Sequence, residues 1–245
     1  MIEIFDTLTH PTINNTWLNP KFSEYSNIRI ILEDMEKFRI KKAFAVGLKD
    51  VGGYNQKKYI EFLKPYKNLI PVAFCENLEE IYEINELGYK GLKIHPRISK
   101  TAPDDDKIFE IIRCANKLGL FVMYCGFSAV TDKFVDKIEN EKLIFLHTGG
   151  KDLKNTFKKL KDKSNILLDL SYTFNRFNEL DDYISYLFVN FYNKICIGSD
   201  SPEFRLQELR EKFDLFSKKI ERKRAEMIAF RNIENFLERL TNANY

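Results

Sequence analysis

Short apolar runs of four to six residues, rich in Ile, Val, Phe and Leu, alternate with longer amphipathic stretches along the whole chain. The runs predict strands over Ile2–Asp6, Lys42–Val46, Leu69–Phe74, Gly91–Ile94, Phe121–Tyr124, Leu143–Leu146, Ile166–Leu170 and Lys194–Ile197. Continuous rather than alternating apolar character marks strands that are covered on both faces. Between them, apolar residues recur at helical spacing, as in Ile28, Ile31, Leu32 and Met35, and again in Ile108, Ile111, Ile112 and Ala115. One face of a 3.6-residue helix is written this way. The same pattern predicts helices over Tyr59–Tyr66, Leu78–Leu87, Asp132–Glu141, Leu153–Lys161, Leu180–Tyr192, Leu206–Lys218 and Ala225–Leu240. Gly88 and Gly119 each close a helical pattern just before a strand, where a left-handed cap is wanted.

Eight strands, each followed by a helix, predict a parallel sheet, and right-handed crossovers favour its closure. The first strand-to-helix turn reads His10-Pro-Thr-Ile-Asn-Asn, without the glycines of a phosphate-binding turn, which weighs against an open doubly wound sheet. The expected fold is therefore a single α/β domain over 1–245, a (β/α)₈ TIM barrel with an extra C-terminal helix.

Composition narrows the partners. Lys and Arg number 39 against 36 Asp and Glu, a net charge of +3 and too little for a nucleic-acid surface. The basic stretches Lys151–Lys163 and Lys218–Arg224 are interleaved with apolar positions and read as solvated helix faces. No run approaches the ~20 apolar residues of a membrane span, and the start of the chain has no signal-peptide pattern. Four cysteines without CxxC spacing fit reduced thiols. These features predict a cytoplasmic protein with a small-molecule substrate and no nucleic-acid or membrane partner. The 14% aromatic content is assigned to packing, with a homo-oligomer interface left open.

In a barrel of this kind, chemistry sits at the carboxyl ends of the strands. All three histidines of the chain fall there: His10 after strand one, His95 after strand four and His147 after strand six. Cys125 follows strand five and Asp200 follows strand eight. Two imidazoles, a carboxylate and a thiolate arriving from separate strands would suit a zinc-type divalent metal. Each also has a plain structural reading: a hydrogen-bonded histidine, a turn-capping aspartate or a small buried cysteine. Lys93 shares strand parity with His95 and could meet an anionic substrate group. Arg97, Tyr124 and Arg176 are further candidate substrate contacts. Asp6 would orient ligands or anchor the barrel.

The motifs FDTLTHP, GYKGLKIHP, LFVMYCGF, KLIFLHTGG, NILLDLS and KICIGSDSP, with AFRNIENFLERL around Asn232, occur in this order. Together they resemble the amidohydrolase superfamily, and within it the amidohydrolase-related branch that includes aminocarboxymuconate-semialdehyde decarboxylase-like enzymes. The resemblance implies a divalent metal, with zinc the expectation, held by His10, Cys125, His147 and Asp200. It also implies a hydrolase of a small polar lactone, amide or carboxylated compound, with Asp200 as base and His147 as acid or electrostatic stabiliser. Lys93, His95, Arg97 and Tyr124 would bind the substrate. Two positions depart from the pattern: Leu8 stands where the family has the first histidine of its His-x-His pair, and Cys125 stands at its strand-five histidine. These departures support the alternative of a catalytically degenerate or metal-independent barrel that binds a small molecule or a protein partner. A metal-free enzyme using His147 and Asp200 lies between the two, and a non-oxidative decarboxylase is a further variant.

Overall fold

A computed structural model describes residues 1–126 and 130–241, with side chains through Arg239. Phe127 of the strand-five motif lies outside the described residues. Eight parallel strands run in sequential order: β1 (Ile4–Thr9), β2 (Ile40–Val46), β3 (Leu69–Phe74), β4 (Gly91–Ile94), β5 (Phe121–Cys125), β6 (Leu143–Leu146), β7 (Ile166–Asp169) and β8 (Ile195–Cys196). A principal helix follows each strand: α1 (Ile28–Lys37), α2 (Gln56–Leu63), α3 (Leu78–Glu86), α4 (Asp106–Lys117), α5 (Asp132–Lys137), α6 (Leu153–Leu160), α7 (Asp181–Asn190) and α8 (Leu206–Ser217). The chain is a (β/α)₈ TIM barrel with a C-terminal helical segment.

The helices start where a short polar side chain satisfies their first amides. Asn27, Asn55, Asn77, Asp105 and Thr131 each accept from a backbone N–H of the following turn. Each cap fixes where the chain leaves its loop, and so how the loop crosses the mouth of the barrel.

Inside the barrel, Phe5, Leu8, Phe44, Val46, Phe121, Met123 and Ile144 belong to one apolar cluster, which Ile233 and Phe236 of the C-terminal segment join. Asn232 fixes that segment by donating to the carbonyls of Tyr192 and Ile195, at the start of β8. The segment is not the single helix that periodicity predicts over Ala225–Leu240. It runs as α-helix over Arg222–Glu226, a π turn over Met227–Arg231 and α-helix again over Asn232–Thr241.

Strand β1 also departs from the apolar pattern. It ends at Thr9 rather than Asp6, because its upper half is polar yet fully buried. Asp6 accepts from the backbone N–H of Ser199 at 2.8 Å, from the Ser199 hydroxyl at 2.6 Å and from the Leu8 N–H at 3.1 Å. Register shifts against β2 flank Phe5–Asp6 and continue to Thr9. Here the strand departs from strict two-residue alternation and places Leu8 in the interior cluster. The barrel closes where β1 meets the chain after β8. Thr7 N–H donates to Ile197 O at 3.2 Å, Asp200 N–H to Leu8 O at 2.8 Å and His10 N–H to Ser201 O at 2.8 Å. Gly198 permits this approach, since a Cβ there would lie 2.6 Å from Thr7 Oγ1 and 2.9 Å from the Leu8 nitrogen. Among the described residues, no helix is long and apolar enough to cross a membrane.

Candidate active site

The carboxyl ends of the strands surround a cleft of about 620 Å³. His10, Lys93, His95, Arg97, His147 and Asp200 line it, between aromatic walls formed by Trp17, Tyr172 and Phe177.

His10 follows β1 directly. Its Nδ1 lies 2.7 Å from the carbonyl oxygen of Val46, which only accepts, so Nδ1 carries the proton. The Nε2 lone pair then faces the Lys93 Nζ at 3.4 Å, with Asp200 Oδ1 at 3.6 Å. Burial and the Lys93 charge lower the His10 pKa, and the ring is neutral. Lys93, on β4, is 3% exposed. Burial lowers its pKa, while the fields of Cys125, Asp200 and Asp169 act in the opposite sense. For Asp200, burial acts upward, but the charge of Lys93 acts against it and the pKa lies below the ordinary aspartate value. The mouth thus pairs a carboxylate that is ionised at rest with a buried amine. Trp17 stacks near His10, with ring centroids 5.1 Å apart.

His147 ends β6 in an unusual backbone conformation. His147 and Thr148 have φ of 61° and 37°, and Gly149 and Gly150 follow at 81° and 58°. Left-handed non-glycine residues cost about 1–3 kcal/mol each and persist only when neighbours hold them. Residues of and after β7 do so. The carboxylate of Asp169 accepts the His147 N–H at 3.3 Å, the Thr148 hydroxyl donates to Asp169 O at 2.6 Å, and the Thr173 hydroxyl donates to His147 O. Asp200, with φ of 60°, is left-handed as well and is held by the β1 seam. Burial pulls the His147 pKa down to about 3. At neutral pH the ring is neutral. His95 is also lowered to about 3, first by burial and then by Lys93, and its Nδ1 accepts from the Ile98 N–H at 3.4 Å.

Several expected residues stand apart from the cleft lining. Tyr124 points from β5 into the barrel–helix layer, where its ring packs 4.8 Å from Phe134 and its hydroxyl donates to Pro103 O at 2.7 Å. Strand alternation explains this: Met123 faces the interior and Tyr124 the helices. Arg176 is exposed on the short helix Thr173–Arg176, and Cys125 is buried without lining the cleft. Asp6 belongs to the β1–β8 seam. Periodicity passed over Asp169, Ser171 and Trp17. Asp169 and Ser171 interrupt the apolar run Ile166–Leu170 at a spacing of two, and that interruption was the available signal.

Comparison with known proteins agrees with the fold. A family model described as Amidohydrolase matches residues 45–224, well over half of the chain. The chain belongs to that family, and the family and fold together make it an enzyme. No curated protein matches it. Among solved structures, a TIM-barrel protein from Bordetella bronchiseptica superposes with a TM-score of 0.82 at 16% identity, covering 98% of this chain and 100% of that one. A probable 2-pyrone-4,6-dicarboxylic acid hydrolase from Acinetobacter baumannii, with citric acid bound, gives 0.66 at 12% identity over 97% and 100%. A dihydroxybenzoic acid decarboxylase from Polaromonas sp. JS666, with bound manganese and the inhibitor 2-nitroresorcinol, gives 0.71 at 12% identity over 97% of each chain.

The metal implied by the family does not fit the donors present. Two donors about 2.1 Å from one ion stand roughly 3.4 Å apart, so His10 Nε2 and Asp200 Oδ1, at 3.6 Å, have suitable spacing. Among the described residues no group of three or more His, Cys, Asp or Glu is placed to hold an ion, so the expected set of His10, Cys125, His147 and Asp200 is not assembled. Leu8 brings only carbon to the family's first ligand position. Lys93 brings its amine to the imidazole nitrogen that would have to ligate.

Proposed function

We propose that this enzyme hydrolyses a small carboxylated lactone without a resident metal, with Asp200 as the base. The observation that carries the reading is the placement of Asp200 and Lys93, carboxylate and amine, against the same nitrogen of His10, with no third donor grouped beside them among the described residues. A water held by Asp200 loses a proton to it while the water oxygen bonds to the lactone carbonyl carbon. The Lys93 ammonium faces the negative charge that develops on the carbonyl oxygen, and such preplaced charges stabilise most where water is excluded. The ring C–O bond then breaks, and the proton on Asp200 passes to the departing oxygen, giving a hydroxy acid. Proton transfers of this kind contribute about 10²–10⁴-fold.

The walls and rim support the substrate class. Trp17, Tyr172 and Phe177 suit a planar ring, and Arg97 and Lys151 at the rim suit its carboxylates. Two structural neighbours are named for a pyrone dicarboxylic acid and a dihydroxybenzoic acid, both carboxylated rings and the first a lactone.

The test is a panel of carboxylated lactones, amides and hydroxybenzoates assayed with a chelator present. The expected result is ring opening of a lactone that persists in chelator and is lost in Asp200→Asn. Turnover that appears only with added Zn²⁺ or Mn²⁺, or release of carbon dioxide in place of ring opening, overturns the reading.

A further inference from the structure

Asp169 is fully buried, and four donors converge on its two carboxylate oxygens. Oδ1 accepts the His147 N–H at 3.3 Å, the Ser171 N–H at 3.0 Å and the Ser171 hydroxyl. Oδ2 accepts the Thr7 hydroxyl, which reaches across from β1. Three of these donors meet Oδ1 and one meets Oδ2, and two of the four are backbone N–H groups, which can only donate. Asp169 is thus an acceptor throughout, and the single proton of the Ser171 hydroxyl goes to it. That leaves Ser171 Oγ to accept from its other neighbour, His147 Nδ1, at 3.0 Å.

We infer that Ser171 and Asp169 are positioning residues that fix the tautomer of His147: Nδ1–H donates to Ser171, Ser171 donates to Asp169, and Nε2 is left unprotonated on a ring that lines the cleft. A serine thus stands between the imidazole and the carboxylate, where a direct pair would place the carboxylate against the ring. The extra atom lets one buried aspartate serve two tasks, orienting the ring through Ser171 and holding the left-handed backbone of His147 through its N–H. In this tautomer His147 accepts a hydrogen bond at Nε2, so its part in the reaction proposed above is to orient the attacking water alongside Asp200. This step rests on that reading; the tautomer itself does not.

The experiment measures the His147 ring nitrogens by long-range ¹H–¹⁵N correlation at neutral pH in the full chain, with the resonances assigned through His147→Gln. The wild type is expected to show a protonated Nδ1 and an unprotonated Nε2. Ser171→Ala should lose that preference and populate the Nε2–H form, whereas Ser171→Thr, which keeps the hydroxyl, should retain it. Circular dichroism of the same samples establishes that each is folded. If lactone turnover is found, Ser171→Ala should lower kcat about 10-fold or more with KM little changed, and Ser171→Thr should recover most of the loss. A wild-type ring protonated at Nε2 or at both nitrogens, or identical tautomers in wild type and folded Ser171→Ala, overturns the inference whether or not any substrate is turned over. Failure of every lactone with the Nδ1–H tautomer intact instead removes only the proposed reaction.

Discussion

The indole nitrogen of Trp17, in the loop after β1, donates to the Glu203 carboxylate beyond β8 at 2.7 Å, and so ties the loops after the first and last strands together above the seam where the barrel closes. The same ring lies beside His10 and is the only tryptophan in the chain. Its emission therefore reports on the cleft. Titration with a carboxylated lactone or with citrate should change Trp17 fluorescence along a saturating curve. Lys93→Met should weaken that binding about 10- to 100-fold, since a hydrogen bond to a charged group contributes about 1.5–3 kcal/mol. Unchanged affinity in Lys93→Met would show that the ligand does not meet the ammonium.

Asp200→Asn retains the shape of the side chain and removes its basicity. Turnover should fall about 10²–10⁴-fold with KM altered little, as steady-state kinetics would report. Substantial residual activity would assign the base elsewhere.

Metal independence has its own check. Dialysis against a chelator should leave activity within about twofold, and elemental analysis should find far less than one ion per chain, because among the described residues no third donor joins His10 and Asp200. Leu8→His combined with Lys93→Met supplies that donor and removes the competing amine. This double variant should bind Zn²⁺ measurably in calorimetry where the wild type does not.

Asp6 makes stability depend on pH. Burial raises its pKa to about 7, against the opposing hydrogen bonds from Ser199 and Leu8. Below about pH 4 both the folded and unfolded chains hold the proton. Above that the unfolded chain releases it while the folded chain keeps it, so stability present in acid is lost as pH rises toward 7. Asp6→Asn lacks this term. The stability of wild type relative to the variant should therefore fall by at most about 1.4 kcal/mol per pH unit between pH 4 and 7 and level off above. Urea denaturation measures it, and curves that stay parallel across that range would contradict the assignment.

Gly198→Ala tests the seam. A methyl group there meets Thr7 and the Leu8 backbone at under 3 Å. Overpacking of this kind costs about 1–3 kcal/mol, so thermal unfolding should shift down by about 2–4 °C for each kcal/mol lost.

The barrel and its rim were legible because buried parallel strands are written as apolar runs, and His10, His95, His147 and Asp200 fall just beyond four of them. The polar seam was not. Asp6, Thr7, Asp169 and Ser171 lie within or beside strands yet are buried, and only their partners from distant strands, which no local pattern records, make that burial tolerable. Tyr124 was misplaced for a related reason: a one-residue difference in strand parity turns a side chain from the cleft to the helices. The replacement of a ligand by Leu8 could be read directly, but the approach of Lys93 to His10 needed coordinates.

The seam between β1 and the chain beyond β8 also has a consequence for how the protein is made. The imidazole of residue 10 leaves the ribosome long before the carboxylate of residue 200 that it meets. A nascent chain therefore holds His10 without its partner until residue 200 has been made, and termination before that point leaves the seam with β1 unclosed.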